Sequence, residues 1–143
     1  MTQVHFTIEG PPQGKARPRV TRHGTYTPSK TKEYERAIQD AYRDQVGDTF
    51  FEGPVSVDIF CLFPIPKSRT KGQKKEMVDW RVRPCVKPDL DNVVKAVCDA
   101  LNGIAWQDDN QVCDLCVRKQ YGETPGVFVS IKGKANNLDF IDC

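Results

Sequence analysis

Acidic residues stand on both sides of one predicted helix in this chain. Asp89 and Asp91 flank its beginning, and Asp108 and Asp109 follow its end after a short connection. Carboxylates gathered in one place repel one another, and a divalent cation is the usual reason for a fold to collect them. The spacing therefore predicts a site for a hard ion such as Mg²⁺, on the condition that the two acidic groups meet in space.

The helix predicted for residues 90–102 has an apolar face and a polar face. The apolar stripe, which can dock on a sheet, consists of Val93, Val94, Val97, Ala100 and Leu101. The polar side consists of Asp91, Lys95, Asp99 and Asn102. Lys95 lies one helical turn beyond Asp91, so its ammonium can reach toward a phosphate that is bound beside the acids.

The same residues have a purely structural explanation. Asp89 stands where a helix N-cap belongs, and Lys95 could form a surface ion pair with Asp91 or Asp99. The second acidic pair weighs against this explanation, because two adjacent carboxylates in a turn are not explained by capping alone. Spacing does not show whether that pair reaches Asp89, and Asp108 could replace Asp109 as the ligand.

Two groups of basic residues accompany the acids. The first consists of Lys15, Arg17, Arg19 and Arg22, and the second of Lys67, Arg69, Lys71, Lys74 and Lys75. Such clusters attract nucleic-acid phosphates through counterion release and long-range steering. Beside a predicted metal site they indicate a metal-dependent nuclease that contacts the DNA backbone at these positions, although each cluster alone could be a solvated surface.

Length and composition favour one globular domain. The chain has 143 residues, a net charge of +2 and 38% hydrophobic residues, and no apolar run approaches the roughly 18 residues of a membrane span. The N-terminus lacks the layout of a signal peptide, so we expect a cytoplasmic protein with reduced thiols. We also expect no membrane association and no nucleotide cofactor. Cys113 and Cys116 have the spacing of half a zinc site, which the alternation of a strand disfavours.

Hydrophobic periodicity predicts a chain of both strands and helices, which places it in the α/β (α+β) class. Strands are predicted at residues 3–9, 55–63, 112–118 and 127–131, and helices at 29–46 and 90–102. Residues 15–28 are expected to form an extended arm or a hairpin that turns near His23-Gly24. Residues 67–76 could be a loop or a short exposed helix, and residues 78–87 a further strand, against which Pro84 argues.

Ordered motifs along the chain resemble the RusA family of Holliday-junction resolvases, which are endodeoxyribonucleases often carried by prophages. The motifs are Lys87-Pro88-Asp89-Leu90-Asp91-Asn92, Lys95, Asp99-Ala100-Leu101-Asn102-Gly103 and Asp108-Asp109-Asn110-Gln111-Val112. An N-terminal match consists of Gly14-Lys15-Ala16-Arg17-Pro18-Arg19, followed by Tyr26-Thr27-Pro28. The resemblance covers roughly residues 3–131, and the ordered set is far more specific than a lone Asp-x-Asp.

The resemblance implies roles for individual residues. Asp89 and Asp91 match the first two metal-binding aspartates of the family, and Asp109 is the best match to the third. Lys95 matches the catalytic lysine of the family. The resemblance also implies a single compact RusA-like endonuclease domain at residues 1–132, with a small mixed sheet packed by helices, and a C-terminal tail at residues 133–143. It further implies a homodimer that uses Mg²⁺ or Mn²⁺.

The implied function is Mg²⁺-dependent resolution of four-way DNA junctions by paired symmetric nicks, in DNA recombination and repair. Two rival functions are a metal-dependent nuclease acting on other branched or duplex DNA, and a non-catalytic DNA-binding protein whose acids only position the helix. Both nuclease hypotheses require the acids on either side of the helix to meet closely enough to hold one cation.

Overall fold

A four-stranded mixed sheet carries the helices of this protein. The computed structural model describes residues 1–16, 19–26 and 29–136, with the backbone alone for Arg19 and Tyr26. The strands are β1 (Thr2–Glu9), β2 (Arg19–Thr21), β3 (Gly24–Tyr26), β4 (Phe51–Pro64), β5 (Val112–Gly122) and β6 (Gly126–Ala135). The helices are α1 (Ser29–Gln45), α2 (Lys71–Val78) and α3 (Leu90–Leu101), and a 3₁₀ turn (Asp109–Gln111) precedes β5.

The main sheet has the strand order β1-β6-β4-β5, and β2 and β3 form a separate two-stranded hairpin. Strand β6 pairs antiparallel with β1 and β4, whereas β5 runs parallel to β4 at the edge of the sheet. This arrangement confirms the predicted α/β (α+β) class with a small mixed sheet packed by helices.

Most predicted elements are present, and the strands are longer than the periodicity indicated. The hairpin near His23-Gly24 forms as β2 and β3, and the basic segment at 67–76 contains most of α2. The possible strand at 78–87 is wrong, because the chain forms turns and bends after α2 and Pro84 cannot donate to a strand ladder. Strand β6 runs through Ala135, into the segment assigned to the tail, while residues 137–143 lie outside the described part of the chain.

One face of the main sheet packs against α1 and α3 and forms the core. Alternate residues of β4 point into this core, and the buried set is Val55, Val57, Ile59, Cys61 and Phe63. The helices contribute Tyr34, Ile38 and Tyr42 from α1, and Val93, Val97 and Leu101 from α3. The apolar stripe predicted for residues 90–102 therefore supplies the buried face of α3, and its polar face is left at the surface.

The parallel pairing of β4 and β5 determines where the 3₁₀ turn lies. Parallel neighbours need a long crossover connection, and residues 65–111 supply it. Val55 pairs with Val112 near the start of the two strands, and Pro64 pairs with Gly122 at their ends. The 3₁₀ turn therefore lies at the beginning of the parallel pair, and α3 leads the chain back toward it.

A buried tryptophan fixes the connection between α3 and the 3₁₀ turn. Trp106 is fully buried, and its indole N–H donates to Asn102 Oδ1 at 2.8 Å. The backbone N–H of Gly103 donates to the Trp106 carbonyl at 2.7 Å, and Gly103 has a φ of +78°, which suits glycine best. The short connection thus folds back against the docked helix, as its length predicted.

The cysteines of the described residues are free thiols. Burial raises the pKa of Cys61 to about 11 and that of Cys98 to about 12, so both thiols stay protonated near neutral pH. Cys113 and Cys116 are exposed on β5, but no three His, Cys, Asp or Glu side chains in residues 1–16, 19–26 and 29–136 are grouped to hold a metal. Over the same ranges, no helix is long and apolar enough to cross a bilayer.

Trp106→Phe should lower the free energy of unfolding by about 1–3 kcal/mol, because it removes the donor to Asn102 and leaves a part-buried acceptor without a partner. Equilibrium unfolding in urea measures this cost. Trp80→Phe is the matched control: Trp80 is 50% exposed, and surface substitutions usually stay within about 0.5 kcal/mol. Equal costs for the two variants would contradict the anchoring role of Trp106.

Candidate active site

The polar face of α3 forms one wall of a surface groove. The groove has a volume of about 380 Å³ and is lined by Lys15, Ala16, Asp89, Asp91, Asn92, Lys95 and Asp99. Asp91, Lys95 and Asp99 follow one another at four-residue spacing and so lie along one side of the helix. The groove therefore combines three carboxylates with two ammonium groups, and α3 forms its rigid wall.

Asp89 occupies the N-cap position of α3 without using its side chain as a cap. Its backbone is extended, with φ −67° and ψ 151°, and its carboxylate makes no capping hydrogen bond. Asp89 thus stands at the N-cap position that the capping explanation predicts, but its side chain does not make the hydrogen bond of a cap. The carboxylate lies at the N-terminal end of α3, where the helix dipole attracts negative charge.

Lys95 makes no ion pair with a carboxylate in the described part of the chain. A pair with Asp91 or Asp99 was the structural alternative for this lysine, and neither is formed within 4.0 Å; the ion pairs found are those of Lys15. The side chain of Lys95 is exposed along the groove. Its charge is therefore available to an anionic ligand.

Lys15 lies in the groove and forms an ion pair with Asp99. Its ammonium lies 2.5 Å from Asp99 Oδ2 and 3.3 Å from Glu35 Oε1. The hydrogen bond to Asp99, assisted by the two negative charges, raises the pKa of Lys15 despite partial burial. Sequence reasoning predicted Lys15 as a DNA contact, and the structure shows an ammonium that two carboxylates already engage.

The segment that carries Lys15 is docked tightly on the start of α3. The backbone N–H of Lys15 donates to the Asn92 carbonyl at 3.0 Å. A Cβ added to Gly14 would come within 2.9 Å of Asn92 Cβ and 3.0 Å of Pro88 Cβ, distances that real Cβ atoms do not tolerate without movement. Glycine at position 14 therefore allows the backbone to approach the helix closely enough for Lys15 to reach Asp99.

The second acidic pair is held against β4 by one glutamine. The side-chain oxygen of Gln111 accepts hydrogen bonds from the backbone N–H groups of Gln107 and Asp108, at 2.9 Å and 3.3 Å. Its side-chain amide donates to the carbonyls of Phe51 and Gly53, at 3.1 Å and 3.0 Å. Gln111 thus fixes the turn in which Asp108 and Asp109 are adjacent.

Asp109 is destabilised in its charged form. Partial burial raises its pKa above the ordinary value of 3.8, and the negative charges of Asp108 and Asp99 raise it further. Asp109 is also among the charges that act on the buried thiol of Cys98. The field that Asp109 experiences therefore comes from its own turn and from the C-terminal half of α3.

The predicted ligands are distributed along the helix and are not gathered at one point. Asp91 and Asp99 are eight residues apart, which corresponds to about 12 Å along the axis of an α-helix. Asp89 and Asp91 lie at the start of α3, whereas Asp109 feels the negative charge of Asp99 near the end of the helix. No three described carboxylate, imidazole or thiolate side chains are grouped to hold an ion as they stand, so the set Asp89, Asp91 and Asp109 stays a prediction.

The chemistry of the donors nevertheless suits a hard divalent cation. Mg²⁺ prefers oxygen ligands. The ion pairs found among the described residues join Lys15 to Asp99 and Glu35, so none of them involves Asp89, Asp91 or Asp109. Partial burial raises the pKa of Asp109 first, and the charges of Asp108 and Asp99 raise it further; a nearby cation would offset the effect of these charges. The carboxylates therefore have the right chemistry for such an ion and still need to be drawn together.

Of the other basic residues predicted to contact DNA, those that the structure describes do not line the groove. Arg22 is exposed in the turn of the β2–β3 hairpin, whereas Arg17 and the side chain of Arg19 fall outside the described residues. The second cluster surrounds α2: Lys67, Arg69, Lys71 and Lys75 are exposed and Lys74 is half-buried. Helix α2 begins with a capping box between Thr70 and Gln73, and its assigned DNA contacts stay predictions.

Three polar residues of the site were not assigned a role from the sequence. The sequence carried a signal for Asp99, because Asp99 follows Lys95 by four residues on the polar face of α3. Gln111 follows Asp108 by three residues, which is the spacing of a capping box. Glu35 gave no signal, since only the folded chain brings α1 to Lys15.

Comparisons with known proteins agree with the motifs of the groove. The model of a family described as "Endodeoxyribonuclease RusA" matches residues 9–132. The chain is also 38% identical over 138 residues to "Uncharacterized protein YqaN" of Bacillus subtilis (strain 168), an alignment that covers 92% of this chain and 97% of the relative. The family match spans the groove, the acidic turn, β4, β5 and most of β6, whereas β1 lies outside it except for Glu9.

Asp109→Asn should raise the free energy of unfolding near pH 7, because it removes a charge that Asp108 and Asp99 repel. A raised pKa in the folded state means that the protonated form of Asp109 is favoured by folding, so this stability is present below pH 3.8 and is lost as the pH rises through the folded pKa. The gain of the Asn variant should therefore shrink as the pH falls toward 3.8. Urea unfolding at pH 7, 5 and 4 measures it.

The control for this comparison is Asp40→Asn, on the exposed side of α1. That variant should show no comparable pH-dependent difference from the wild-type protein. A destabilised Asp109→Asn variant at neutral pH would mean that the Asp109 carboxylate makes a favourable contact in the fold.

Proposed function

The chain belongs to the RusA family of endodeoxyribonucleases, and we propose that it is a Mg²⁺-dependent enzyme that resolves Holliday junctions by paired symmetric nicks in DNA recombination and repair. The observation that carries this proposal is the groove on α3. There, Asp89 and Asp91 stand beside Lys95, and Lys95 is bound to neither Asp91 nor Asp99. An arrangement that only positioned the helix would favour those ion pairs.

Asp89, Asp91 and Asp109 would hold the metal ion, with Asp108 as the alternative to Asp109 and Mn²⁺ as the alternative ion. When bound, such an ion supplies charge relief at a phosphate and lowers the pKa of a coordinated water. The family match supports this assignment, because the matched residues 9–132 include all three aspartates. The raised pKa of Asp109 supports it as well, because the charges of Asp108 and Asp99 add to the effect of partial burial and no ion pair to this turn is found in the described part of the chain.

Lys95 is the residue to which we assign the stabilisation of the transition state. Its ammonium can donate to a non-bridging oxygen of the scissile phosphate, where negative charge develops during hydrolysis. Lys15 helps this role indirectly, because it occupies Asp99 and removes a competing partner of Lys95. The two lysines thus have different roles, and the one on α3 acts on the substrate.

We propose a homodimer in which each subunit makes one nick. A four-way junction has approximate two-fold symmetry, and a C2 dimer presents two equivalent sites to opposed strands. The clusters at 15–22 and 67–75 would contact the phosphate backbone and position the junction without reading bases. Lys15 is the weakest member of this footprint, because Asp99 and Glu35 hold its charge.

Asp91→Asn should abolish Mg²⁺-dependent cleavage of a synthetic four-way junction while binding of the junction in the absence of metal is retained. The substitution removes a ligand charge from an exposed position, so the fold should not change. Denaturing gels report the nicks and gel shifts report binding. Asp40→Asn, an exposed carboxylate of α1, is the control and should cleave like the wild type.

The same assay separates the rival functions. Cleavage of linear duplex or flap DNA at the same rate as the junction would favour a nuclease with another substrate. If the wild-type protein binds DNA but shows no cleavage with Mg²⁺ or Mn²⁺, the protein is a non-catalytic binder. Full activity of Asp91→Asn would remove that residue from the site.

Lys95→Met should lower kcat for junction cleavage by roughly 10²–10³-fold, the usual cost of losing one donor to developing charge. The affinity for Mn²⁺ should not fall, because no carboxylate is lost. Single-turnover cleavage and calorimetric titration of Mn²⁺ measure the two effects. Lys32→Met, an exposed residue of α1, serves as the control; an equal loss in both variants would contradict the role of Lys95.

A further inference from the structure

A lysine from the edge strand holds the segment that leads into α3. Lys119 of β5 donates its ammonium to the carbonyls of Val86 at 2.8 Å and Pro88 at 3.2 Å. The same ammonium lies 4.8 Å from the centroid of the Phe63 ring. The side chain of Arg83 donates in turn to the Lys119 carbonyl at 3.1 Å. Two backbone carbonyls and one aromatic face therefore surround a single cation.

These contacts fix the chain immediately before the first acid of the groove. The Pro88 carbonyl belongs to the peptide group that joins Pro88 to Asp89, and the Val86 carbonyl lies two residues earlier. An ammonium has three donors and no acceptor, so two of them are committed to this one segment. Hydrogen bonds from a charged donor are also about twice as strong as neutral ones. The segment is thereby tied to the rigid sheet.

Asp89 depends on this anchor because α3 does not fix its side chain. The carboxylate makes no capping hydrogen bond, and the link of Asp89 to the helix is its own carbonyl, which accepts from the Val93 N–H at 3.1 Å. On the other side of the segment, the close approach of Gly14 presses against Pro88 and Asn92. The segment is therefore contacted by Lys119 from the sheet and by Gly14 from the chain that follows β1.

We propose that Lys119 is a positioning residue for the acidic groove. By holding the carbonyls of Val86 and Pro88, it sets the position at which Asp89, and with it Asp91, enters the groove. Lys119 touches no reacting atom, and its effect is transmitted through the backbone of residues 86–89. The proposal rests on the proposed nuclease function and adds a residue from outside the acidic motifs.

The test uses two variants of Lys119 and one control in the full-length protein. Lys119→Met keeps an apolar stem over Phe63 and removes the donors, whereas Lys119→Arg keeps the charge, the donors and the contact with the ring. Lys132→Met, an exposed lysine of β6, controls for the loss of a surface charge from the same sheet. Amide hydrogen exchange and calorimetric titration of Mn²⁺ are measured without DNA, and cleavage of a synthetic junction is measured separately.

In Lys119→Met, amide exchange should accelerate at least about tenfold in residues 86–93 and stay unchanged in the core of β4. The affinity for Mn²⁺ should fall by about 10–100-fold, the usual effect of removing a group that orients metal ligands. In the cleavage assay kcat should fall while KM for the junction is unchanged. Lys119→Arg should restore most of each property, and Lys132→Met should match the wild type.

Three results would overturn the proposal. Unchanged exchange or unchanged Mn²⁺ affinity in Lys119→Met would show that the acids are positioned without it. Faster exchange over the whole protein would show general destabilisation. A failure of Lys119→Arg to restore Mn²⁺ affinity would exclude the role of its donors. If the wild-type protein neither binds Mn²⁺ nor cleaves the junction, the proposed nuclease function fails, whereas a wild type that does both beside an unaffected Lys119→Met fails the positioning role alone.

Discussion

The parallel pairing of β4 with β5 is the constraint from which the site follows. Two parallel strands cannot be joined by a tight turn, so the chain must cross the sheet between Pro64 and Val112. That crossover contains α2, α3 and the 3₁₀ turn, and with them the four aspartates and Lys95 of the proposed catalytic set. The hydrophobic burial of one face of α3 then decides that the opposite face, with its charges, lines a groove.

The charges of this groove are only partly compensated. Lys15 forms ion pairs with Asp99 and Glu35, and within the described residues no ion pair reaches the aspartates at the start of α3 or in the acidic turn. Partial burial and the negative charges of Asp108 and Asp99 raise the pKa of Asp109, so its ionised form opposes folding at neutral pH. A carboxylate with a raised pKa is typical of sites where stability is given up for chemistry, as the proposed function requires of the acidic turn.

The sequence predicted the local features of the site well because they depend on short-range periodicity. The apolar stripe of α3, the N-cap position of Asp89 and the fold-back of the connection all follow from residues close together in the chain. The pairing of Lys15 with Asp99 spans 84 positions, and the contact of Lys119 with Val86 spans 33. No periodicity encodes such contacts, because they arise when separate elements meet.

The strand predicted at 78–87 failed for a related reason. Val78, Val82 and Val86 suggest an apolar pattern, but these side chains are exposed, Val78 ends α2, and the chain forms turns and bends after it. Part of this segment serves to present Asp89, and its backbone carbonyls are bound by Lys119 instead of a neighbouring strand. A pattern of residue types does not distinguish a short strand from a loop that is tied to a strand by a side chain.

The freedom of Lys95 is the point at which fold and proposed function meet. Asp91 precedes Lys95 by four residues, the more favourable order for an ion pair on a helix, and Asp99 follows it by four. Lys15 occupies Asp99 at 2.5 Å, and the backbone contact of Lys15 with Asn92 keeps it in place. Because a surface ion pair contributes at most about 1 kcal/mol, a bound phosphate can readily outcompete Asp91 for the ammonium of Lys95. In the proposed function, Lys15 thus satisfies a carboxylate that would otherwise compete with the bound phosphate for Lys95.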